Sequence, residues 1–282
     1  MSTGNKIQMK VALNLSGLTR CLSYSWLFID KYIRQPLNAD VFLHTWDCDH
    51  GGSKVSETFN APSIFPETTK QDYIAKEIVP AQAVVESYNA FAEALHRTGS
   101  VPIHRQKEDA VLWRSSPENN SLPDLDFVLP TLSKWTAHSS FPMFYGIQQA
   151  NLLRQKHEKE NNIQYDLVIR SRLDCFFERE IPEAEIEKAL KDDTLFVAVN
   201  CSKENYIHDN VTDAFAFSTP KTMDVYCNTF DIYQDSSNHG LLSETALQHQ
   251  LNIHQIPTEW SDTRFKLPST WTNKEVSVVG FH

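Results

Sequence analysis

The sequence predicts an α/β protein in which a mixed, mainly parallel sheet of Rossmann-like type is flanked by helices. Two observations indicate this class. The first fifty residues contain a strand at 10–15, an amphipathic helix at 23–35 and a second strand at 40–45. Further along, a long helix at 143–160 leads into an apolar strand that begins at Tyr165. Strands that alternate with helices pair in parallel through crossover connections, which gives a doubly wound sheet.

The remaining elements are predicted from the same periodicities. Strand patterns occur at 194–199, 213–218 and 253–256, and helix patterns at 181–190, 220–230 and 244–251. Residues 69–88 are also predicted to be helical, with an interruption at Pro80. Residues 115–130 are rich in Pro, Asn and Asp, as loops are. We therefore expect one domain over residues 1–282, with a helical and loop insertion at about 53–140.

Charge and composition limit the class of partner. The chain has 282 residues, a net charge of −10 at pH 7 and 41% hydrophobic residues. An acidic chain disfavours nucleic acid, because binding to a phosphate backbone needs a basic surface. The five cysteines are scattered without CxxC spacing, which is typical of reduced thiols in a cytosolic protein. The polar N-terminus, and the lack of any run of about 18 apolar residues, predict a cytoplasmic protein without a membrane span.

The end of the strand that begins at Tyr165 is the main candidate for a functional site. The apolar run to Ile169 is followed by Arg170, Arg172 and Asp174. Side chains two residues apart in an extended chain point the same way, so these three should project together. Two guanidiniums beside a carboxylate suit a phosphate, or a phosphate with a metal ion, beyond the carboxyl end of a strand. A structural ion pair is equally compatible with this spacing.

The turn at Ser16 and Gly17, after the first strand, is a second candidate. A strand, a small-residue turn and a helix start together offer main-chain N–H groups to an anion or a nucleotide. The motif is neither GxGxxG nor a phosphate loop ending in GK[ST], so a plain strand-to-helix turn is the alternative. At the end of the next strand, Trp46 and Asp47 are candidates for contact with a nucleotide.

A rival candidate for a metal site consists of His44, Asp47, Asp49 and His50. Asp47 and Asp49 place two carboxylates two residues apart. The two glycines that follow indicate a loose loop, and alternating acids are common in solvated turns. Metal binding is therefore the weaker interpretation of this stretch.

Five segments carry a resemblance to a known enzyme family through their order and spacing. They are VALNLSGLTR at 11–20, DVFLHTWD at 40–47, YDLVIRSRLD at 165–174, DAFAFSTPKTMDVY at 213–226 and SETALQHQL at 243–251. In this order they resemble the GT-A glycosyltransferases, nucleotide-sugar enzymes of Rossmann-like fold. The closer similarity is to small microbial and viral enzymes of surface-polysaccharide synthesis. The resemblance implies a GT-A fold and transfer of a sugar, from a UDP-, GDP- or dTDP-sugar, to a glycan or another hydroxyl acceptor.

The resemblance also implies a metal site on the donor diphosphate. In such enzymes a DxD motif after a central strand holds the metal. Arg172-Leu173-Asp174 stands in that place here, so one carboxylate is retained and a guanidinium replaces the other. The implied cofactor is Mn²⁺ or Mg²⁺ on Asp174, and neutralisation of the diphosphate by Arg170 and Arg172 without metal is the alternative.

Residues at the other strand ends receive implied roles in donor binding. Ser16, Gly17 and Arg20 would lie near the base and the ribose. Trp46 and Asp47 would contact the nucleotide from the neighbouring strand end.

Two acidic residues receive implied catalytic roles. Asp213 would border the acceptor pocket. Glu244, at a helix start, would be the general base that takes the acceptor proton, so that the anomeric configuration inverts. A carboxylate at a helix N-terminus is also stabilised by the helix dipole alone, which is the structural alternative.

Two other functions share the fold and remain alternatives. A sugar nucleotidyltransferase would need a glycine-rich N-terminal signature, and Ser16-Gly17 is poor in glycine. A carbohydrate-binding protein that has lost catalysis is compatible with the replacement of the DxD motif. A serine hydrolase and a zinc enzyme are disfavoured, because GxSxG, HExxH and CxxC do not occur in the sequence.

Overall fold

A computed structural model describes residues 9–19, 22–47, 70–87, 134–200, 212–233 and 243–267. In these ranges the chain forms one mixed sheet with helices on both faces. The α/β class predicted from the sequence is therefore confirmed. Arg20, Asp49 and His50, together with most of the predicted insertion, lie outside the described residues.

The strands and helices follow one another along most of the described chain. The strands are β1 (Val11–Gly17), β2 (Asp40–Trp46), β3 (Gln82–Glu86), β4 (Leu167–Arg172), β5 (Phe176–Phe177), β6 (Leu195–Asn200), β7 (Phe215–Ser218) and β8 (Thr258–Lys266). Two helices are extended by π-helical turns. Helix α1 (Leu22–Ile29) continues through a π-helical turn at Asp30–Arg34 and a short α-helical segment at Gln35–Leu37, and α2 (Lys70–Tyr73) continues through a π-helical turn at Ile74–Ile78. The others are α3 (Lys134–Asn161), α4 (Glu183–Asp192), α5 (Pro220–Cys227), α6 (Thr229–Tyr233) and α7 (Ser243–Ile253).

The strand order places a topological switch beside β1. The sheet runs β3-β2-β1-β4-β7-β6-β8-β5. From β1 the chain proceeds outward to β2 and β3, and then returns to the other side of β1 as β4. The β1–β2, β2–β3, β1–β4 and β6–β8 pairs are parallel, and β7 is antiparallel to both of its neighbours. In open sheets of this kind, ligands bind beyond the carboxyl ends of the strands where the order reverses.

Each face of the sheet is covered by its own set of helices, as the alternation of side chains along β1 illustrates. Val11, Leu13 and Leu15 pack with the apolar sides of α1, α2 and α4. Ala12 belongs to the opposite core, which α3, α5, α6 and α7 complete. Residues two apart in a strand share a face, so Asn14 and Ser16 follow Ala12 towards α3. The polar side chains in the carboxyl-terminal half of β1 thus lie on the face of the sheet that α3 covers.

A buried polar network ties α3 to the sheet and to α5. Arg154 is 1% exposed and pairs with Glu158 at 2.6 Å and with Asp224. Its Nε donates to Asn151 Oδ1 at 3.0 Å, and that oxygen also accepts from Asn14 Nδ2 of β1 at 3.0 Å. Two carboxylates therefore compensate the charge of this guanidinium inside the protein, and a buried charge usually requires such pairing.

Several boundaries differ from the sequence prediction. The strand predicted to become polar after Ile169 continues as β4 through Arg172, so both arginines are strand residues. The helix predicted from residue 143 begins at Lys134 and contains Pro142. The prediction of helix throughout 69–88 is wrong beyond Pro80, because β3 pairs there with β2. The strand predicted at 253–256 is also wrong, because α7 ends there and the strand begins at Thr258.

Two further expectations concern thiols and membranes. Cys175 and Cys227 are free and buried, and burial raises the pKa of both thiols to about 12. The other three cysteines lie outside the described residues. None of the helices in the described ranges has the combination of length and apolar composition that crossing a membrane requires.

We expect Arg154→Met to destabilise the fold, because it leaves the carboxylates of Glu158 and Asp224 without their buried counter-charge. The expected loss in free energy of unfolding is about 3 kcal/mol, measured by urea denaturation followed by circular dichroism. Arg34→Gln is the control, because Arg34 pairs with Asp30 at the surface and its removal should cost less than about 1 kcal/mol. Equal losses in both variants would contradict a structural role specific to Arg154.

Candidate functional site

The predicted trio lies at the edge of the sheet where β1, β2, β3, β4, β6 and β8 all end, here called the carboxyl edge. The main-chain N–H of Arg172 donates to Ala214 O at 3.0 Å, which holds the end of β4 against the start of β7. On the other side, Arg172 is the register partner of Ser16 in β1. The end of β4 therefore borders the switch point between β1 and β4. Ligands of doubly wound sheets bind at this position.

Arg172 and Asp174 form a bidentate ion pair. Arg172 Nε donates to Asp174 Oδ1 and Arg172 Nη2 to Asp174 Oδ2, both at 2.8 Å. A second carboxylate, Asp213, lies 4.0 Å from Arg172 Nη1. Burial alone would lower the pKa of Arg172, but the neighbouring Asp174 and then Asp213 raise it above its ordinary value. The guanidinium is thus a permanent positive charge in a fixed orientation.

Part of the Arg172 guanidinium remains available to a ligand. Its side chain is 26% exposed, against 6% for Asp174 and 12% for Asp213. A guanidinium has five N–H groups, and Asp174 takes one from Nε and one from Nη2. Within the described part of the chain, the other three make no hydrogen bond. Of the three predicted residues, Arg172 therefore presents donors at the protein surface.

Arg170 lies beneath this surface as a buried cation. Its side chain is 1% exposed, Nη1 donates to Ala214 O at 3.0 Å and Nη2 to Ser16 Oγ at 3.4 Å. Its Nε has no hydrogen-bond partner among the described residues, and no carboxylate there lies within 4.0 Å of the guanidinium. The equally buried Arg154, in contrast, has two carboxylates. A buried charge without a counter-ion is costly, which marks Arg170 as a source of positive field at the site.

Ser16 and Gly17 line the same edge beside the arginines. Ser16 is buried and receives the bond from Arg170. Gly17 has a φ of +133°, which glycine adopts readily, and an added Cβ there would meet no atom of the described residues within 4 Å. The carbonyl of Gly17 accepts a hydrogen bond from Thr45 Oγ1 at 2.8 Å, so the space beside this residue lies on its Cα side.

The charges of the described residues at the switch point balance one another. Arg170 and Arg172 bring two positive charges, and Asp174 and Asp213 bring two negative ones. The site is thus no general basic patch, in agreement with the net charge of −10 of the whole chain. Donor N–H groups lie beside carboxylate oxygens, an arrangement that suits a ligand with both an anionic group and hydroxyl groups.

Trp46 is covered by its neighbours. It is 2% exposed, its ring stacks on Tyr145 with centroids 5.8 Å apart, and His44 packs edge-on at 5.0 Å. The backbone carbonyl of Trp46 accepts a bond from the buried Lys70 at 2.9 Å. Packing is the role that the structure gives this ring, and its predicted contact with a nucleotide remains a prediction. Asp47 is exposed at the end of β2.

His44 and Tyr145 both bind Glu86 of β3. His44 Nε2 lies 3.3 Å from Glu86 Oε2, and Tyr145 OH donates to Glu86 Oε1 at 3.3 Å. The hydrogen bond with His44 lowers the pKa of Glu86, against an opposing effect of burial. Gly146 permits the close approach of α3 here, because a Cβ at that position would lie 3.1 Å from His44 Nδ1. His44 is thus a packed residue with one ring nitrogen directed to a carboxylate.

Asp213 and Glu244 reach the carboxyl edge by different routes. Asp213 lies two residues before β7, next to the Ala214 whose carbonyl is bound by Arg172. Tyr226 OH donates to the adjoining Thr212 O at 3.0 Å. Glu244 is half-buried in the first turn of α7. Since α7 leads into β8 through residues 254–257, and β8 ends at the carboxyl edge, the N-terminus of α7 lies towards that edge. The topology therefore directs Glu244 towards the same edge of the sheet as Arg172.

The metal ion that the family resemblance implies does not fit the residues present. Both oxygens of Asp174 are bound by Arg172 at 2.8 Å, so a metal on Asp174 would lie beside a fixed positive charge. Two unit charges about 4 Å apart interact by about 4 kcal/mol at an intermediate dielectric constant, and a divalent ion doubles this repulsion. Within the described residues no group of three His, Cys, Asp or Glu side chains is placed to hold a metal ion, which includes the rival cluster as far as His44 and Asp47.

Sequence reasoning missed two contributors to this edge of the sheet. Glu86 was placed in a predicted helix, although the two β-branched residues Val84 and Val85 are also compatible with a strand. The carbonyl of Ala214 joins Arg170, Arg172 and β7, and a main-chain group leaves no signal in the sequence. Comparison of the chain with protein-family models and with curated proteins found no match.

We expect Glu86→Gln to reduce the acid sensitivity of the fold. Because the folded-state pKa of Glu86 is lowered, its ionised form stabilises the protein above the unfolded-state pKa, and this contribution is lost as the pH falls through the lowered value. Between about pH 5 and pH 3, the urea midpoint of the wild type should therefore fall further than that of the variant. Glu187→Gln, which changes an exposed carboxylate of α4, is the control, and parallel pH profiles for all three proteins would contradict the prediction.

Proposed function

We propose that this protein is a glycosyltransferase of the GT-A type, which moves a sugar from a nucleotide-sugar donor to a hydroxyl acceptor. The observation that carries the proposal is the set of Arg172 N–H groups that make no hydrogen bond within the described residues, at the switch point of the sheet. Beneath them lies the buried Arg170, which has no carboxylate within 4.0 Å in the described part of the chain. A diphosphate linked to a sugar combines the anion and the hydroxyl groups that such a mixed site would bind.

Preorganisation of Arg172 supports its assignment to the diphosphate. The bidentate bond to Asp174 fixes the plane of the guanidinium before a ligand arrives. A planar donor group that is already ordered binds phosphate oxygens with a smaller loss of side-chain entropy. Arg170 adds a positive field from below, where water cannot screen it. Asp174 is accordingly a positioning residue for Arg172.

The proposed reaction is a direct displacement at the anomeric carbon. The acceptor oxygen forms a bond to that carbon while the bond between the carbon and the phosphate oxygen breaks. The electron pair of the broken bond leaves with the nucleoside diphosphate, whose growing negative charge Arg172 and Arg170 would stabilise. Electrostatic stabilisation of this kind, by groups already in place, is usually the largest contribution to catalysis.

The acceptor proton requires a base, for which Glu244 is proposed. It lies in the first turn of α7, whose N-terminus is directed towards the carboxyl edge. A base on the face opposite the leaving group would give inversion of configuration. Asp213 is the second candidate, because it lies at the same edge, 4.0 Å from Arg172.

The proposal predicts that a nucleoside diphosphate binds and that Arg172→Gln weakens this binding. Isothermal titration calorimetry with UDP, GDP, dTDP and CDP should identify one ligand, whose affinity falls about 10–100-fold in the variant, as expected for the loss of a charge-assisted bond. Arg34→Gln removes a guanidinium from a surface pair with Asp30 and should leave the affinity unchanged.

The outcome of the titration separates the alternatives. Failure of all four nucleotides to bind would remove the glycosyltransferase assignment. Binding of a nucleotide sugar that is neither transferred nor hydrolysed would instead support the carbohydrate-binding alternative. Release of pyrophosphate from a nucleoside triphosphate and a sugar phosphate would support the nucleotidyltransferase.

We expect Glu244→Gln to reduce kcat by about 10²–10⁴-fold while the dissociation constant of the donor changes little, because the amide cannot accept the acceptor proton. The matched control is Glu183→Gln, which changes another first-turn glutamate, on the exposed side of α4. A normal rate in Glu244→Gln would exclude it as the base, and Asp213→Asn would then be tested in the same assay.

A further inference from the structure

We propose that Arg172 takes the place of a divalent cation, so that the donor diphosphate is bound without metal. This inference rests on the proposed function and deepens it. It decides between the two interpretations of the Arg172-Leu173-Asp174 motif that the sequence left open.

The first step is the convergence of two carboxylates on one guanidinium. Asp174 binds Arg172 through both of its oxygens, and Asp213 approaches the same guanidinium from β7 at 4.0 Å. Carboxylates from separate segments that point at one centre are typical of a cation site. Here the centre is already occupied by a side chain of the protein.

The second step is the permanence of this internal cation. A guanidinium stays protonated in proteins, and the two carboxylates favour its charged form further. Its orientation is set by two bonds of 2.8 Å, with the remaining N–H groups left for a ligand. A bound metal would need Arg172 to release Asp174 and to remain nearby as a repelling charge.

The third step is the count of positive charge. Arg172 at the surface and Arg170 beneath it together carry the formal charge of one divalent ion. Arg170 makes only neutral contacts, with Ala214 O and Ser16 Oγ, so no carboxylate within 4.0 Å in the described chain cancels its field. The two arginines can therefore supply the positive charge that a metal would otherwise bring to the leaving group.

The test is calorimetric titration of the full chain with the nucleoside diphosphate that binds best, once in EDTA and once in Mn²⁺. Heats of Mn²⁺ binding to the nucleotide alone are subtracted with a reference titration. The dissociation constants in the two buffers should agree within about threefold. A larger gain in affinity with Mn²⁺ overturns the inference and leaves the proposed function standing. Absence of binding in both buffers overturns the proposed function, and this inference with it.

Two variants make the test independent of the wild type alone. Asp174→Asn loosens the orientation of Arg172 and should weaken binding equally in EDTA and in Mn²⁺, whereas a metal ligand would matter only in Mn²⁺. Arg172→Asp places a carboxylate beside Asp174 and Asp213, and should bind the nucleotide at least about tenfold more tightly with Mn²⁺ than without. If Arg172→Asp does not fold, the comparison of Asp174→Asn in the two buffers still decides the question, because a loss confined to Mn²⁺ contradicts the inference.

Discussion

The arrangement of the site depends on the hydrogen bonds that the carbonyl oxygen of Ala214 accepts. This oxygen accepts the main-chain N–H of Arg172 and the Nη1 of Arg170, each at 3.0 Å. One main-chain atom, in the residue before β7, thus fixes the end of β4 and the position of the buried Arg170 side chain. It also brings Asp213, the residue before it, next to Arg172. A shift of β7 by one residue would turn alternate side chains to the other face and separate these charges.

Among the described residues, two fully buried arginines differ in whether neighbouring carboxylates compensate their charge. Arg154 is surrounded by Glu158, Asp224 and Asn151, which satisfy its charge and join α3 to α5 and β1. Arg170 lies between neutral oxygens, so its charge is not compensated locally. Proteins retain such a costly group where the charge has a purpose, and the position of Arg170 at the switch point supplies one.

The sequence predicts the strands and helices of this protein better than the burial and hydrogen bonds of its candidate site residues. Strands β1, β2 and β4 and the helix α1 have clear periodicities because each is covered by apolar neighbours. Strands β3 and β8 were missed or misplaced, since their half-exposed side chains weaken the alternation. Spacing alone predicts that Arg170, Arg172 and Asp174 lie together. It does not predict that Arg170 is buried against Ala214 O, because this carbonyl comes from a distant part of the chain. It also does not predict that Arg172 binds both oxygens of Asp174, because spacing does not fix the side-chain rotamers.

The balance of charge at the carboxyl edge bears on selectivity. A purely basic site would attract any polyanion, whereas the carboxylates of Asp174 and Asp213 beside Arg172 reduce the net positive charge of this site. Attraction then depends on short-range geometry: phosphate oxygens must meet the free N–H groups of Arg172, and groups near the carboxylates must be hydrogen-bond donors. A free phosphate meets only the first condition, and a neutral sugar only the second. A sugar joined to a diphosphate meets both, so the charge balance of the described residues is in keeping with the donor that the proposed function assigns.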